Sequence, residues 1–278
     1  MSTPSEDEDF SIRFGGIQRL YGRESSDIIR KMHVCIIGLG GVGSWVVESL
    51  ARTGVGRFTL IDYDTVSKSN INRQLAALDT TEGEKKSTVL KHRVEGINPY
   101  CDCQVIDDFL TMANLSEYLS TAHHYDYIVD AIDSIKFKSA MIYHCRRNKI
   151  PIITTGGAGG LTDPLAVQVK DLSRTFNDPL AAKVRSQLRS EYHFPRNSKR
   201  SFRIECVFSS QQPVYPKPDG TVSHEKPGIH GISLDCTMGY GSVTTVTATF
   251  GNVAASRVIH NTLKKHLIAG NDIAANDI

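Results

Sequence analysis

The chain has six cysteines, Cys35, Cys101, Cys103, Cys145, Cys206 and Cys236, and none of them falls into a Cys-x-x-Cys pair. Zinc knuckles need that spacing and secreted disulfide frameworks need a denser set, so both are excluded and the thiols read as mostly buried. A membrane span is also missing. The stretch 243–260 is poor in charge, but Asn252 and Arg257 interrupt it and it falls short of the about 20 apolar residues a span needs. A buried helix lined with small residues is expected there. The opening MSTPSEDEDF is acidic where a secretory leader is basic and then apolar, which points to a cytoplasmic protein with no membrane partner. Net charge is low as well: 32 Lys and Arg against 30 Asp and Glu leave +2. Any nucleic-acid binding must therefore come from a local concentration of basic residues.

What is present is an alternation. Short apolar runs at 33–37, 57–61, 103–106, 127–131 and 150–154 are separated by helical stretches at 44–52, 85–95, 115–120 and 137–148. Such alternation predicts an α/β fold, a Rossmann-like, doubly wound and mainly parallel sheet. A helical arm over 11–31, carrying Arg13, Arg19 and Arg23, precedes it. Strands at 166–170 and 203–208, followed by the glycine-rich 228–241 and a last helix, predict a C-terminal antiparallel extension. Residues 1–9 read as a disordered acidic tail, 10–268 as a single domain with a mobile basic segment at 175–203, and 269–278 as a disordered tail.

The first strand runs into Gly38-Leu39-Gly40-Gly41-Val42-Gly43-Ser44. Glycines let the backbone turn tightly and bring N–H groups close to phosphate, and the helix that follows favours negative charge at its N-terminus. Asp62 ends the second strand, where a carboxylate accepts hydrogen bonds from ribose hydroxyls. To this point a nicotinamide dehydrogenase fits equally well. The segment from Asp62 through Asp64, Asn70, Asn72, Arg73 and Gln74, with Lys86 shortly after, breaks the tie, because hydride transfer has no use for that set. Asn70 and Asn72 also suit a loop-forming role.

These motifs, GxGGxGS, DxDxVxxxNxNRQ, a lysine and then an aspartate, resemble the signature of the ubiquitin-activating-enzyme-like superfamily over about residues 11 to 160. The resemblance implies ATP-dependent adenylation of a carboxylate. It implies that Arg73 and Lys86 hold the triphosphate, that Asp130, in Asp130-Ala131-Ile132-Asp133, places magnesium, and that Gly38, Gly40, Gly41, Gly43, Asp62, Asp64, Asn70, Gln74 and Asp133 line the nucleotide site. It also implies a homodimer in which an N-terminal arginine of one protomer, Arg13 or its rival Arg19, reaches the phosphates of the other. The physics agrees: a carboxylate approaching an anionic triphosphate needs cations, and Arg73, Lys86 and loop N–H dipoles would provide them.

Superfamily members that activate protein tails commonly carry paired Cys-x-x-Cys motifs or a cysteine domain, which this chain lacks. Arg13-Phe14-Gly15-Gly16, Thr154 to Gly160, Arg203 to Ser209 and Gly239-Tyr240-Gly241-Ser242 are instead similar to the tRNA threonylcarbamoyladenosine dehydratases. That likeness implies ATP-driven cyclisation of N6-threonylcarbamoyladenosine in tRNA, with sulfur-transfer proteins as possible partners. The alternative is activation of a small sulfur-carrier protein. Cys236 is either a thioester-forming nucleophile or a packing residue. The basic run Lys183, Arg185, Arg189, Arg196, Lys199, Arg200 and Arg203, interleaved with Tyr192, His193 and Phe194, is either an RNA-contacting surface or a solvated loop.

Overall fold

A computed structural model of the chain describes residues 5–197, 199–225 and 241–276, with side chains to 267. Two helices lead in, α1 (Glu6–Tyr21) and α2 (Arg23–Lys31), separated by Gly22 at φ 86°. The core follows as β1 (His33–Ile37), α3 (Gly43–Arg52), β2 (Arg57–Ile61), α4 (Lys86–Ile97), β3 (Asp102–Ile106), α5 (Leu115–Tyr118), β4 (Tyr127–Asp130), α6 (Ile135–Arg147) and β5 (Ile152–Thr155). Then come β6 (Val167–Asp171), α7 (Pro179–Glu191), β7 (Glu205–Ser209), a small hairpin of β8 (Tyr215–Pro216) and β9 (Val222–Ser223), and the long α8 (Thr244–Asn276).

The sheet order is β3-β2-β1-β4-β5-β7-β6, parallel throughout except for β6, which runs antiparallel to β7. Both faces are covered, which is why strands such as His33–Ile37 read as unbroken apolar runs. Val34 and Ile36 of β1 face one cluster with Leu50 of α3, Leu90 of α4 and Phe250 of α8. Cys35 and Ile37 face the other, with Met141 of α6 and Leu188 of α7.

Three boundaries differ from the sequence expectation. Residues 6–9 are helical, because Ser5 caps α1 in a reciprocal box with Glu8, and Arg30 pairs with Glu6 and Asp7 while Arg13 pairs with Asp9. Acidic residues in a first turn also suit the helix dipole. Helix α8 continues through most of the expected C-terminal tail. The segment 175–203 is built around α7: Asp178 caps it, Pro179 opens it, and Ala181, Val184 and Leu188 are buried.

Helices α3 and α4 are clamped by Glu48, which accepts from Arg93 Nε at 2.5 Å and from Arg52 Nε at 2.6 Å. Burial pushes its carboxyl up, but the hydrogen bonds from Arg93 and Arg52 outweigh burial and hold it below the usual Glu range. A depressed folded-state pKa contributes stability above the unfolded value that is lost as pH falls through the folded value. Glu48→Gln is therefore expected to melt below wild type at neutral pH, with the gap closing as pH falls from about 4.5 downward. Thermal melts across the acid range check this; a gap that stays constant would contradict it.

Candidate active site

The strand order reverses between β1 and β4, so a crevice opens outside the carboxyl ends of these two strands, beside the tip of β2. The glycine loop 38–43 lies in it. Gly38, at φ 85°, donates its N–H to Ile61 O at 3.0 Å, and a Cβ there would sit 2.9 Å from the Ala131 backbone. Loop, β2 tip and β4 tip are therefore packed directly on one another.

Asp62 pins the loop: its Oδ2 accepts from Leu39 N at 2.6 Å and its Oδ1 from Asp64 N at 2.8 Å. Burial raises its pKa, opposed by these N–H donors and by the nearby Lys86 charge. Each carboxylate oxygen keeps a second lone pair, so ribose recognition stays open to it. Lys86, at the first position of α4, is buried with Nζ 2.8 Å from Asp64 Oδ2.

Arg73 is fixed from both ends. Its backbone carbonyl accepts from Trp45 Nε1 at 3.1 Å and from Thr247 Oγ1 at 3.3 Å, and its Nη1 donates to Ser69 O and Asn72 Oδ1. Its stem crosses Gly41, where a Cβ would lie 3.3 Å from Arg73 Cγ. Gln74 is buried beside Gly40, and its Oε1 has no hydrogen-bond partner among the described residues. A glycine cradle, two cations and an orphaned buried acceptor fit the phosphates and polar edges of ATP.

Other expected residues are placed differently. Asn70 Oδ1 accepts from Ser67 N at 3.2 Å in a capping box, so its side chain shapes the loop. Asp133 is exposed and forms no hydrogen bond or ion pair among the described residues. Arg13 lies outside the cluster, bound to Asp9 and to Ile97 O within its own chain. Asp130 is the main departure: it is wholly buried, paired with Lys138 at 2.9 Å and accepting from Thr154 Oγ1 at 2.6 Å. Both oxygens are engaged, and no group of three or more metal-ligating side chains occurs among the described residues. As placed, Asp130 does not fit a magnesium ligand. Cys236 and His230 lie outside the described residues.

The basic segment is also corrected in part. Arg185 is half-buried and bonded to Thr175, Arg189 lies over the Phe202 ring, and Tyr192 and Phe194 pack on the core. Of the aromatics expected to stack on bases, Tyr192 and Phe194 are thus committed inward, while His193, Arg196, Lys199, Arg200 and Arg203 are exposed.

Sequence reasoning passed over several groups. Lys138 looks like any helical lysine, since its partner stands eight residues away across a turn. Tyr63, Phe109 and Phe137 form an edge-to-face ledge, with centroids 5.0 Å apart in each pair, and Tyr63 and Phe109 are exposed. Asp178 holds Gly157 N at 3.1 Å as well as capping α7. The Asp178-Pro179 pair was the legible signal for that cap.

The chain is similar to the tRNA threonylcarbamoyladenosine dehydratase of Haemophilus influenzae, 50% identical over 258 residues, covering 93% of this chain and 96% of the relative. It also resembles the crystal structure of the Escherichia coli tRNA N6-threonylcarbamoyladenosine dehydratase in complex with ATP. There the TM-score is 0.83 and the identity 44%, covering 94% of this chain and 97% of that one. A molybdopterin-synthase adenylyltransferase of Haemophilus influenzae is 30% identical over 160 residues, covering 55% of this chain and 65% of the relative. The ThiF family matches residues 16–276, from within α1 to the end of α8, and the chain belongs to that family.

Proposed function

We propose that the chain uses ATP to dehydrate N6-threonylcarbamoyladenosine in tRNA to a cyclic form. A threonyl carboxylate oxygen attacks the α-phosphorus, the bond to pyrophosphate breaks, and an acyl-adenylate results. A nucleophilic atom of the neighbouring carbamoyl group then attacks the acyl carbon. AMP leaves carrying the carboxylate oxygen, and the nucleophile's proton passes to solvent. Both reacting groups belong to one nucleoside, so proximity favours ring closure without an enzyme nucleophile.

Arg73, Lys86 and the N–H groups of the glycine loop offset the phosphate charge as pyrophosphate departs. No step calls on the described cysteines, which burial holds in the thiol form, Cys103 being pushed up to about 12. Magnesium in this reading stays with the triphosphate. The enzyme acts as a homodimer with Arg13 crossing between protomers; Ile12 and Leu20 of the same helix are 74% and 73% exposed, an apolar surface for a partner to cover. Sulfur-transfer proteins are further proposed partners. A cytoplasmic location belongs to the same proposal; among the described residues no helix is long and apolar enough to cross a membrane.

One observation carries the choice of substrate. The likeness to the dehydratase covers 93% of the chain, whereas the likeness to the adenylyltransferase covers 55%. The two readings separate in an AMP-release assay. Release that requires threonylcarbamoyl-modified tRNA supports the dehydratase; pyrophosphate exchange on a carrier-protein tail with no RNA present supports the alternative.

Exposed Arg196, Lys199 and Arg200 are assigned to tRNA phosphates. Reversing all three charges is expected to weaken tRNA binding and lower the salt slope of binding by about 2 to 3 while sparing ATP affinity. Equal affinity of variant and wild type across a salt series would remove these residues from the tRNA surface.

A further inference from the structure

Lys138 stands in the first turn of α6, where the helix dipole disfavours a cation, yet its side chain is 2% exposed and that of Asp130 is 0%. Its Nζ lies 2.9 Å from Asp130 Oδ1, 2.9 Å from Ile132 O and 3.4 Å from Asp130 O, so three N–H donors meet three acceptors. Asp130 Oδ2 takes the Thr154 hydroxyl at 2.6 Å, and Oδ1 also receives Ile132 N at 3.4 Å. The ammonium and its oxygens form a closed unit directly beneath the glycine loop, since Ala131 and Ile132 are what a Cβ on Gly38 would strike.

A magnesium ion needs ligand oxygens at about 2.0–2.1 Å in near-octahedral array and keeps several waters. There is no room for that beside an ammonium that shares the same carboxylate oxygen, and the two cations would repel each other in a dry site. We propose that Lys138 occupies the seat beside Asp130 that the family resemblance would give to magnesium. Lys138 and Asp130 then act as positioning residues that fix the 130–132 backbone under the glycine loop. The divalent ion of the reaction is held by the nucleotide's phosphates and not by this carboxylate. The inference rests on the nucleotide reading of the loop. Absence of ATP binding by the wild type would sink that reading, whereas metal titration without nucleotide addresses Lys138 alone.

Mn2+ binding, followed by electron paramagnetic resonance on the full chain without nucleotide, provides the test. Wild type and the charge-neutral double variant Asp130→Asn/Lys138→Met are expected to bind Mn2+ equally, within about twofold. Lys138→Met alone is expected to gain a site at least tenfold tighter, which the added Asp130→Asn change abolishes. A merely structural lysine would not yield a gained metal site. Breaking a buried pair on one side is costly, so the single variant is prone to unfold. A second measurement therefore uses the wild type only: in threonine-methyl-labelled protein, the Thr154 resonance is expected to stay sharp as Mn2+ is added. Broadening of Thr154 at stoichiometric Mn2+, or a tenfold or greater loss of wild-type Mn2+ affinity in the double variant, would overturn the proposal.

Discussion

Arg73→Ala and Lys86→Ala are each expected to cut the rate of ATP-dependent AMP formation by about 100-fold, the scale on which one preorganised electrostatic contact is lost. The two should fail in different ways. Arg73 is a half-buried fork whose Nη1 is already held by Ser69 O and Asn72 Oδ1, so in the proposed role it would meet phosphate without reorganising. Arg73→Lys keeps the charge and loses the fork, and is expected to recover little. Lys86 is a buried point charge with one carboxylate partner, Asp64, which is itself 45% exposed in its side chain. Removing Lys86 leaves Asp64 within reach of solvent, and Asp62 loses a nearby positive charge but keeps its Leu39 and Asp64 N–H donors, so the folded state is expected to survive and the loss to fall on turnover. Single-turnover AMP formation alongside thermal melting separates these outcomes. Full activity in either alanine variant would remove that cation from the reaction.

Gly43→Ala is expected to be the most damaging small substitution in the loop. A Cβ at Gly43 would stand 1.8 Å from Gly38 O and 2.9 Å from Gly38 C, and both are backbone atoms that no rotamer change can move aside. The loop would have to open, yet Asp62 holds it through Leu39 N and Gly38 N is tied to Ile61 O. Overpacking of this kind costs about 1–3 kcal/mol or more in stability, and here the displaced atoms are those that would face the phosphates. ATP binding, read by calorimetry, should become undetectable even where the variant still melts cooperatively. Gly83→Ala is the control in binding: no atom lies within 4 Å of a Cβ there, though its φ of 84° makes the substitution strained. Wild-type ATP affinity in Gly43→Ala would place the nucleotide elsewhere.

The sheet was legible because its central strands, β1, β4 and β5, are buried on both faces. The run 33–37 is apolar after His33, 57–61 keeps Phe58, Leu60 and Ile61 around a buried Thr59, and the glycine pattern at 38–43 marks where the first one turns. The candidate cations Arg73 and Lys86 stand out in sequence because they fall in a run dense with Asp and Asn, and the fold sets Arg73 against Gly41 and Lys86 on Asp64. What escaped was settled by contacts far apart in sequence. The acidic start reads as a tail until Arg30, 24 residues after Glu6, supplies its partner. Segment 175–203 reads as a basic loop because charge dominates its composition. The spacing of Ala181, Val184 and Leu188 and the cap at Asp178 carry a helix beneath that charge. Asp130 reads as an open ligand at a strand tip, and only the turn into α6 brings Lys138 back onto it. A lysine's partner is not encoded by its own neighbours, so burial of that pair was the least readable feature of the site.

The most direct test is mass spectrometry of nucleosides from threonylcarbamoyl-modified tRNA incubated with the protein and ATP, beside tRNA without the modification. The account predicts that the modified nucleoside loses the mass of one water, only when ATP is present, and that unmodified tRNA is unchanged. An unchanged nucleoside under conditions where the protein adenylates a carrier-protein tail would contradict it.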